Sequence, residues 1–424
     1  MKGSKPLVTA CLLLAAALFP ALPAFSEEAY RPSPAPDRII LTWPSDPSTS
    51  MSVSWRTAVS DKRARAEIAA AADGPGFADQ ARTVEAVTAP FRSGPGEAQY
   101  HTVRFTGLKP DTLYAYRVGD GSNWSEWNQF RTAAGGPQAL TFLYTGDAQN
   151  DIFSKWSRVI RAGYRLAPGA RFIIHAGDLV NRGSDDKLWG EWFGAAGWIN
   201  AVIPSLPSPG NHEYSSRKIT AHWRAQFDLP EHGPAGLEET CYYVDVQGVR
   251  IVSLNSNEQL EEQARWLDEV LSGNRNRWTI ITFHHPVFSP ARSRDNARVR
   301  SLWQPVFDKH GVDLVLQGHD HTYARSGLLA GEGAEPGKSG TVYVVSVGGP
   351  KMYKLDGRDW MKRAAQDIQL IQIIRIDGGR LRFEARTPTG RLHDAFELNK
   401  RSGMANLLVE HPAGLAPAEV PGAR

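Results

Sequence analysis

The sequence predicts an α/β protein in two parts: an N-terminal all-β sandwich, then a larger domain of β-sheets flanked by helices. Three observations carry this expectation. From about Arg38 to Thr132, short segments alternate apolar and polar residues, as in Met51-Ser-Val-Ser-Trp55 and His101-Thr-Val-Arg-Phe105, with Gly, Pro and Asp between them. From Leu140 onward, apolar runs alternate with stretches whose apolar residues recur at three and four, the pattern of strands joined by helices. Between the two lies Ala133-Ala-Gly-Gly-Pro137, a linker composition. A chain of 424 residues also exceeds what one hydrophobic core usually fills.

A leader precedes both parts. Lys2 and Lys5 stand before an apolar stretch from Leu7 to Phe19, and Pro20, Pro23 and small residues follow before Glu27-Glu28. This is the pattern of a secretory signal peptide, which we place at residues 1–26. Its apolar part is too short to span a bilayer comfortably, and no later segment approaches the ~20 apolar residues of a membrane helix. We therefore expect a periplasmic or secreted protein with no stable membrane span. Cys241 is the one cysteine outside the leader, so no intramolecular disulfide is expected; it begins the strand-like Cys241-Tyr-Tyr-Val244 and reads as a buried thiol. With 42% hydrophobic and 22% charged residues the composition is ordinary for a globular chain, and a formal charge of +3 does not predict nucleic-acid binding. Nothing in the sequence specifies an oligomeric state.

The sandwich is expected over residues 33–133. Leu108-Lys-Pro-Asp-Thr-Leu-Tyr114-Ala-Tyr116-Arg-Val118 has a tyrosine-centred turn and strand that resemble a fibronectin type III module. Trp124, Trp127 and Phe130 read as packing residues, with a glycan platform as the alternative.

The second part is expected over residues 138–399. Strand-like runs cover Leu140 to Tyr144, Phe172 to Ile174, Val249 to Leu254, Trp278 to Phe283, Val312 to Leu316 and Val342 to Val347, with Leu370 to Ile376 and Leu381 to Ala385 closing the domain around an Asp377-Gly-Gly379 turn. Ile152, Trp156, Val159 and Ile160 mark one helix; Leu260, Trp266, Leu267 and Leu271 mark another. Beyond about Lys400, Ala, Pro and Gly accumulate without period, so residues 400–424 are expected to form a flexible tail.

Five patches of metal-ligand residues follow apolar runs: Gly146-Asp147, Gly177-Asp178, Gly210-Asn211-His212, His284-His285-Pro286, and Gly318-His319 with His321. In a crossover sheet ligands bind beyond the carboxyl ends of the strands, where all five patches fall. Two cations ~4 Å apart need a bridging carboxylate, flanking imidazole and oxygen ligands, and open positions for water and substrate. Asp178 is the bridging candidate. An all-oxygen calcium or magnesium cage would not recruit three histidines, so iron, zinc or manganese is expected.

The ordered set Gly-Asp, Gly-Asp, Gly-Asn-His-Glu, His-x-Pro and Gly-His-x-His resembles the calcineurin-like metallophosphoesterases. Gln263-Ala-Arg-Trp-Leu267 and Gly311-Val-Asp-Leu-Val-Leu-Gln-Gly-His-Asp-His-Thr-Tyr-Ala-Arg325, with the fibronectin-like N-terminal domain, resemble the purple acid phosphatase branch. The resemblance implies two divalent or mixed-valence ions, with Asp147, Asp178 and His321 holding the first and Asp178, Asn211, His284 and His319 the second. It further implies hydrolysis of a phosphorylated small molecule by a metal-activated hydroxide, with His212 stabilising the transition state or protonating the leaving oxygen. Glu213 either orients His212 or closes a loop. His285 is a candidate phosphate contact, and His175 packs or supports a ligand. Arg182, in an Asn-Arg-Gly resembling the Asp-Arg-Gly of protein Ser/Thr phosphatases, is a candidate to grip a phosphate oxygen, and Arg325 is a weaker one.

Two positions depart from the family. Purple acid phosphatases place an iron-bound tyrosine three residues after the bridging Asp, where this chain has Asn181. Many other members place a histidine two after the first Asp, where this chain has Gln149. The first metal then has only the amide oxygens of Gln149 or Asn181, or water, to complete its shell, which predicts a protein that is not purple, looser binding there, and divalent rather than ferric iron, or manganese. The leading expectation is an exported acid-phosphatase-like hydrolase of phosphomonoesters. The alternatives are a phosphodiesterase for nucleotides or lipid head groups, and a glycan-binding surface protein whose metal site has degenerated.

Overall fold

The computed structural model describes residues 30–411 apart from residues 94–95, 333, 335–336 and 338. The expected leader and residues 412–424 of the expected tail lie outside the described residues.

Among the described residues the first domain holds β1 (Asp37–Thr42), β2 (Met51–Ala58), β3 (Arg65–Ala70), β4 (Arg82–Glu85), β5 (Val87–Ser93), β6 (Gly96–Phe105), β7 (Leu113–Gly119) and β8 (Asn128–Arg131). They form two four-stranded antiparallel sheets, ordered β1-β2-β6-β5 and β4-β3-β7-β8. The period-2 pattern explains the sandwich: Met51, Val53 and Trp55 of one sheet face Tyr116 and Phe130 of the other in a common core. Phe105 bridges the layers, its ring 6.0 Å from Tyr116 and 6.2 Å from Phe130. The tyrosine of the predicted turn closes it, the Lys109 amide donating to Tyr114 Oη at 2.9 Å.

The polar side of β2 is buried as well, because the second domain covers it. Arg38 and Arg56 reach Asp186 at 2.7 and 3.1 Å, and Arg104 and Ser52 reach Asp228 at 2.5 and 2.6 Å. Trp43 meets Phe172 edge to face at 5.4 Å.

The second domain contains two seven-stranded sheets rather than one crossover sheet. The first is built from β9 (Leu140–Thr145), β10 (Ile173–Ala176), β11 (Ser205–Ser208), β21 (Ile371–Asp377), β22 (Arg380–Arg386), β23 (Leu392–Arg401) and β24 (Met404–His411), ordered β11-β10-β9-β21-β22-β23-β24. The second is built from β14 (Tyr242–Val246), β15 (Val249–Ser253), β16 (Trp278–Phe283), β17 (Leu314–Gln317), β18 (Tyr323–Leu329), β19 (Thr341–Val345) and β20 (Met361–Ala365), ordered β14-β15-β16-β17-β19-β18-β20. A short hairpin, β12 (Tyr214–Ser215) and β13 (Lys218–Ile219), lies apart. In the first sheet β11, β10 and β9 run parallel from one edge and the remaining strands are antiparallel; in the second, the central β15, β16, β17 and β19 run parallel and antiparallel strands close both edges. The sheets face each other across a core that includes Tyr144, Ile174, Ile280 and Leu316, and Ser208 and Ser253 meet across it at 2.8 Å.

Helices cover the outer faces. Along α1 (Ser157–Leu166), Val159, Ile160 and Gly163 face inward, Gly163 because a Cβ there would meet Ile371 at 2.8 Å. On the other face, Leu267 and Leu271 of α4 (Leu260–Ser272) and Trp303 and Phe307 of α5 (Ala297–His310) pack with Ile281, Val315 and Tyr343. Helices α2 (Asp186–Ala196) and α3 (Ala221–Gln226) connect the site loops to the first domain.

The expected flexible tail from residue 400 is corrected over residues 400–411. β24 continues the sheet as a hairpin partner of β23. The cause is a polar clasp: Lys400 Nζ and Asn406 Nδ2 both reach Asp313 Oδ1 at 2.6 Å, and Glu410 reaches Arg325 at 2.6 Å. Arg325 is fully buried and also engages Asp394, 2.7 Å away, so it braces the hairpin and is not a phosphate contact. Breaking a buried ion pair from one side leaves an uncompensated charge and costs ~3–5 kcal/mol. We expect Arg325→Met to lower the unfolding free energy by that order in urea denaturation, with the loss shared by the β23–β24 amides in hydrogen exchange.

Candidate metal centre

All five patches lie just past the ends of parallel strands on one side of the paired sheets. β9 delivers Asp147, β10 Asp178, β11 Asn211 and His212, β16 His284 and His285, and β17 His319 and His321. A cavity of about 780 Å³ at the linker, lined by Pro137, Gly248, Arg277 and Gly378, contains none of them.

Asp178 is buried and central. Its Oδ1 accepts the His212 amide at 3.0 Å; its Oδ2 lies 2.7 Å from Gln149 Nε2, 3.2 Å from His284 Nε2 and 3.8 Å from His212 Nε2. Ligand atoms of Asp147, Asp178 and His284 all fall within 4.8 Å of one another, as do those of His284, His285 and His319. Asp147 accepts the His319 amide at 2.9 Å and stands 3.5 Å from His321 Nε2.

The hydrogen bonds behind the rings determine which nitrogens face inward. His284 donates Nδ1–H to the Ala176 carbonyl (2.9 Å), and His321 donates Nδ1–H to the Lys351 carbonyl (2.9 Å). Each ring then directs Nε2 at the carboxylates. His284 Nε2 lies 3.1 Å from Asn211 Oδ1 and 3.1 Å from His319 Nδ1. Atoms able to ligate a metal thus converge on one point, where positive charge, either a proton on His284 Nε2 or a cation in its place, satisfies the surrounding acceptors. Burial opposes charge on His284, yet Asp178 and then Asp147 raise its pKa to about 9. The acids of this pocket demand positive charge, and the mixed carboxylate, amide and imidazole donors fit iron, zinc or manganese.

Glu213 settles a choice the sequence left open. It is fully buried and accepts the amides of Asp178, Leu179 and Gly210 at 2.9, 2.9 and 2.7 Å, tying two ligand loops together. It does not touch the His212 ring, which donates Nδ1–H to the Asn181 carbonyl at 2.6 Å. Asn181 therefore enters the site through its main chain. Gln149 presents its amide nitrogen to Asp178, while its Oε1 accepts from Lys351 Nζ at 3.3 Å. The lysine requires an acceptor and the carboxylate a donor, so both neighbours fix the same amide orientation.

His285 joins the cluster, 4.2 Å ring to ring from His319, with its Nδ1 on Ser256 at 2.8 Å. Arg182 is exposed and paired with Asp185 at 2.9 Å. His175 packs edge-on against Trp192 at 5.4 Å, and Cys241 is a buried free thiol.

Sequence reasoning missed a sixth loop, Gly348 to Tyr353, after β19. The Gly348 and Gly349 amides donate to the Gly146 and Asp147 carbonyls at 2.8 and 3.0 Å, and the Tyr353 amide donates to the His321 carbonyl at 2.9 Å. A Cβ on Gly349 would stand 2.1 Å from the Asp147 carbonyl, so only glycine permits this approach. The signal was present: Val342 to Val347 is an apolar run followed by glycine, as in the five patches. Also missed was buried Asp320, which ties Arg294 (3.1 Å) and Ser289 to the ligand loop.

An α/β domain that gathers acids, an amide and imidazoles at the ends of its parallel strands has the architecture of a metal-dependent phosphoesterase. Residues 140–323 match the family model for calcineurin-like phosphoesterases, and residues 36–132 match that for the purple acid phosphatase N-terminal domain. The chain thus carries a calcineurin-like phosphoesterase domain behind a purple acid phosphatase N-terminal domain. It is 28% identical over 328 residues to an uncharacterised protein of Mycobacterium tuberculosis, covering 67% of this chain and 61% of that one. It is 28% identical over 331 residues to human acid phosphatase type 7, covering 69% and 71%. The chain thus spans about three fifths of the mycobacterial relative. The purple acid phosphatase PPD1 of yellow lupin seeds shares the fold at a TM-score of 0.74 and 16% identity, covering 87% of this chain and 75% of that one.

Hydrogen bonds to a charged acceptor contribute ~1.5–3 kcal/mol. We expect Glu213→Gln, which turns an amide donor toward backbone donors, to lower the unfolding free energy by at least that much in chemical denaturation. An unchanged midpoint would remove Glu213 from its loop-tying role.

Proposed function

We propose that the protein is an exported binuclear-metal phosphoesterase acting on phosphomonoesters. The observation that supports this most directly is Asp178, whose carboxylate stands between the Asp147–His321 group and the Asn211–His284–His319 group. In this reading Asp147, Asp178 and His321 hold one ion, and Asp178, Asn211, His284 and His319 the other. When bound, such ions would polarise the phosphoryl group and supply an ionised water as nucleophile.

The protein's own groups do the rest. Asp178 is held by the His212 amide and Gln149, so it presents a fixed carboxylate. His212 is oriented by the Asn181 carbonyl, leaving Nε2 on the open side of the pocket, its side chain 28% exposed. A proton at Nε2 is the one delivered to the departing oxygen. Gln149 occupies the place of a ligand but faces Asp178 with its nitrogen, so the Asp147 side has fewer protein donors and binds its ion more loosely. Export rests on the composition of residues 1–26, and no helix among the described residues is long and apolar enough to cross a membrane.

The aromatic side chains of the sandwich favour packing over a glycan platform. Phe130 is buried in the sandwich core, and the Arg117 guanidinium covers the Trp124 and Trp127 rings at 4.4 and 4.8 Å.

Elemental analysis should find two first-row ions per chain, and titration of metal-free protein should resolve a tighter and a looser site; two equal sites would overturn the Gln149 argument. We expect His212→Ala to retain its metals and lower kcat on an aryl phosphate by ~10²–10⁴. Faster hydrolysis of a bis-aryl phosphate than of the monoester would replace the proposed substrate class with diesters, and absence of bound metal would end the enzyme reading.

A further inference from the structure

The two arginines described beside the cluster are already matched by acids. Arg294, whose Nη1 lies 3.4 Å from the His319 carbonyl, is paired with Asp320, and Arg182 with Asp185. Lys351 differs. Its Nζ has one acceptor, Gln149 Oε1 at 3.3 Å, and lies 5.4 Å from the Tyr353 ring; no carboxylate pairs with it among the described residues. An ammonium offers three donors, so two remain for a ligand. Through Gln149, this ammonium is one amide away from Asp178.

The placement is built in from several sides. Gly348 and Gly349 hold the loop's start to Gly146 and Asp147, and the Lys351 carbonyl receives the His321 ring. Tyr353 lies 4.5 Å ring to ring from His321, with the Arg294 guanidinium 4.7 Å from its ring, so His321, Arg294 and Lys351 share this aromatic neighbour. Lys351 is half-buried, so its charge is screened less than that of an exposed lysine.

Resting on the phosphoesterase reading, we propose that Lys351 is a specificity-determining residue: its unmatched ammonium binds a substrate phosphoryl oxygen and biases the site toward dianionic phosphomonoesters over monoanionic diesters. A fixed unit charge attracts a dianion with twice the energy it offers a monoanion at the same distance. The two ligand classes must then respond unequally when the charge is removed.

The test is equilibrium binding by calorimetry to the metal-loaded full chain near pH 8, where inorganic phosphate is mostly dianionic and dimethyl phosphate carries one charge. Metal content is measured in the same samples. We expect Lys351→Met to keep its metals and weaken inorganic phosphate by about tenfold, one charge-assisted hydrogen bond, but dimethyl phosphate by only about threefold, half the free energy. Lys351→Arg should restore most of the difference, and the ratio of aryl phosphate to bis-aryl phosphate turnover should fall with the binding ratio. Equal weakening of both ligands, no weakening of either, or loss of metal from Lys351→Met would each overturn the proposal. Wild-type protein that binds phosphate with this preference yet cleaves neither ester would sink the proposed activity while leaving the role of Lys351 in anion binding intact.

Discussion

The centre of this protein is organised by a convergence of lone pairs. Asn211 Oδ1, His319 Nδ1 and Asp178 Oδ2 each lie within about a hydrogen-bond length of His284 Nε2, while the backbone carbonyl of Ala176 holds that ring's Nδ1–H. Burying such groups without a positive partner is costly. A protein tolerates the arrangement when a cation completes it, and the surrounding loops must then hold mutually repelling acceptors in place. Three of the residues involved adopt left-handed backbone conformations, with φ of 53° at Asp147, 50° at Asp178 and 70° at His319. Such conformations cost ~1–3 kcal/mol each and persist where the neighbourhood over-determines them. Here that neighbourhood is Glu213, gathering amides from two loops, and the Gly348-Gly349 pair, bound to the Asp147 turn.

Much of the site was legible in the chain because its signals are local. A parallel strand buried on both faces reads as an apolar run, and the first residues past its end must line the cleft. That rule located Asp147, Asp178, Asn211, His284, His319 and His321 around one point, and the resemblance supplied their order of use. The same rule applied to Val342–Val347 would have found Lys351, but a lysine after Gly-Gly-Pro carries no ligand signature by itself.

What stayed hidden depends on partners distant in sequence. Nothing around Arg325 indicates Asp394 and Glu410, which lie 69 and 85 residues away. Residues 404–411 looked like the start of a featureless tail because their alternation is weak; Asp313, Lys400 and Arg325 make them a strand. The division of strands between two facing sheets was equally unreadable, since an apolar run does not say which sheet it joins. The roles of Gln149 and Glu213 needed geometry too: whether an amide presents oxygen or nitrogen is decided by Lys351 and Asp178 together.

The N-terminal sandwich connects to the site by a short mechanical path. The His212 carbonyl accepts the Gly183 amide at 2.7 Å, the Gly183 carbonyl accepts Trp189 Nε1 at 2.8 Å, and Trp189 lies on α2, whose first residue is Asp186. Arg38 and Arg56 of the sandwich close on Asp186, and His222 of α3 stands 3.4 Å from the same carboxylate. Two arginines and a histidine around one acid, nearly sealed from water, form a rigid joint because removing any partner strands the remaining charges. The first domain therefore braces α2 and α3, and with them the loop that aims His212. Its aromatic residues follow the same logic: Arg117 occupies the ring faces of Trp124 and Trp127, and Tyr116 Oη donates to the Ala201 carbonyl of the second domain at 2.7 Å. Of these aromatic side chains, Tyr116 thus joins the sandwich to the domain that carries the chemistry, while Trp124 and Trp127 pack beneath Arg117 within the sandwich.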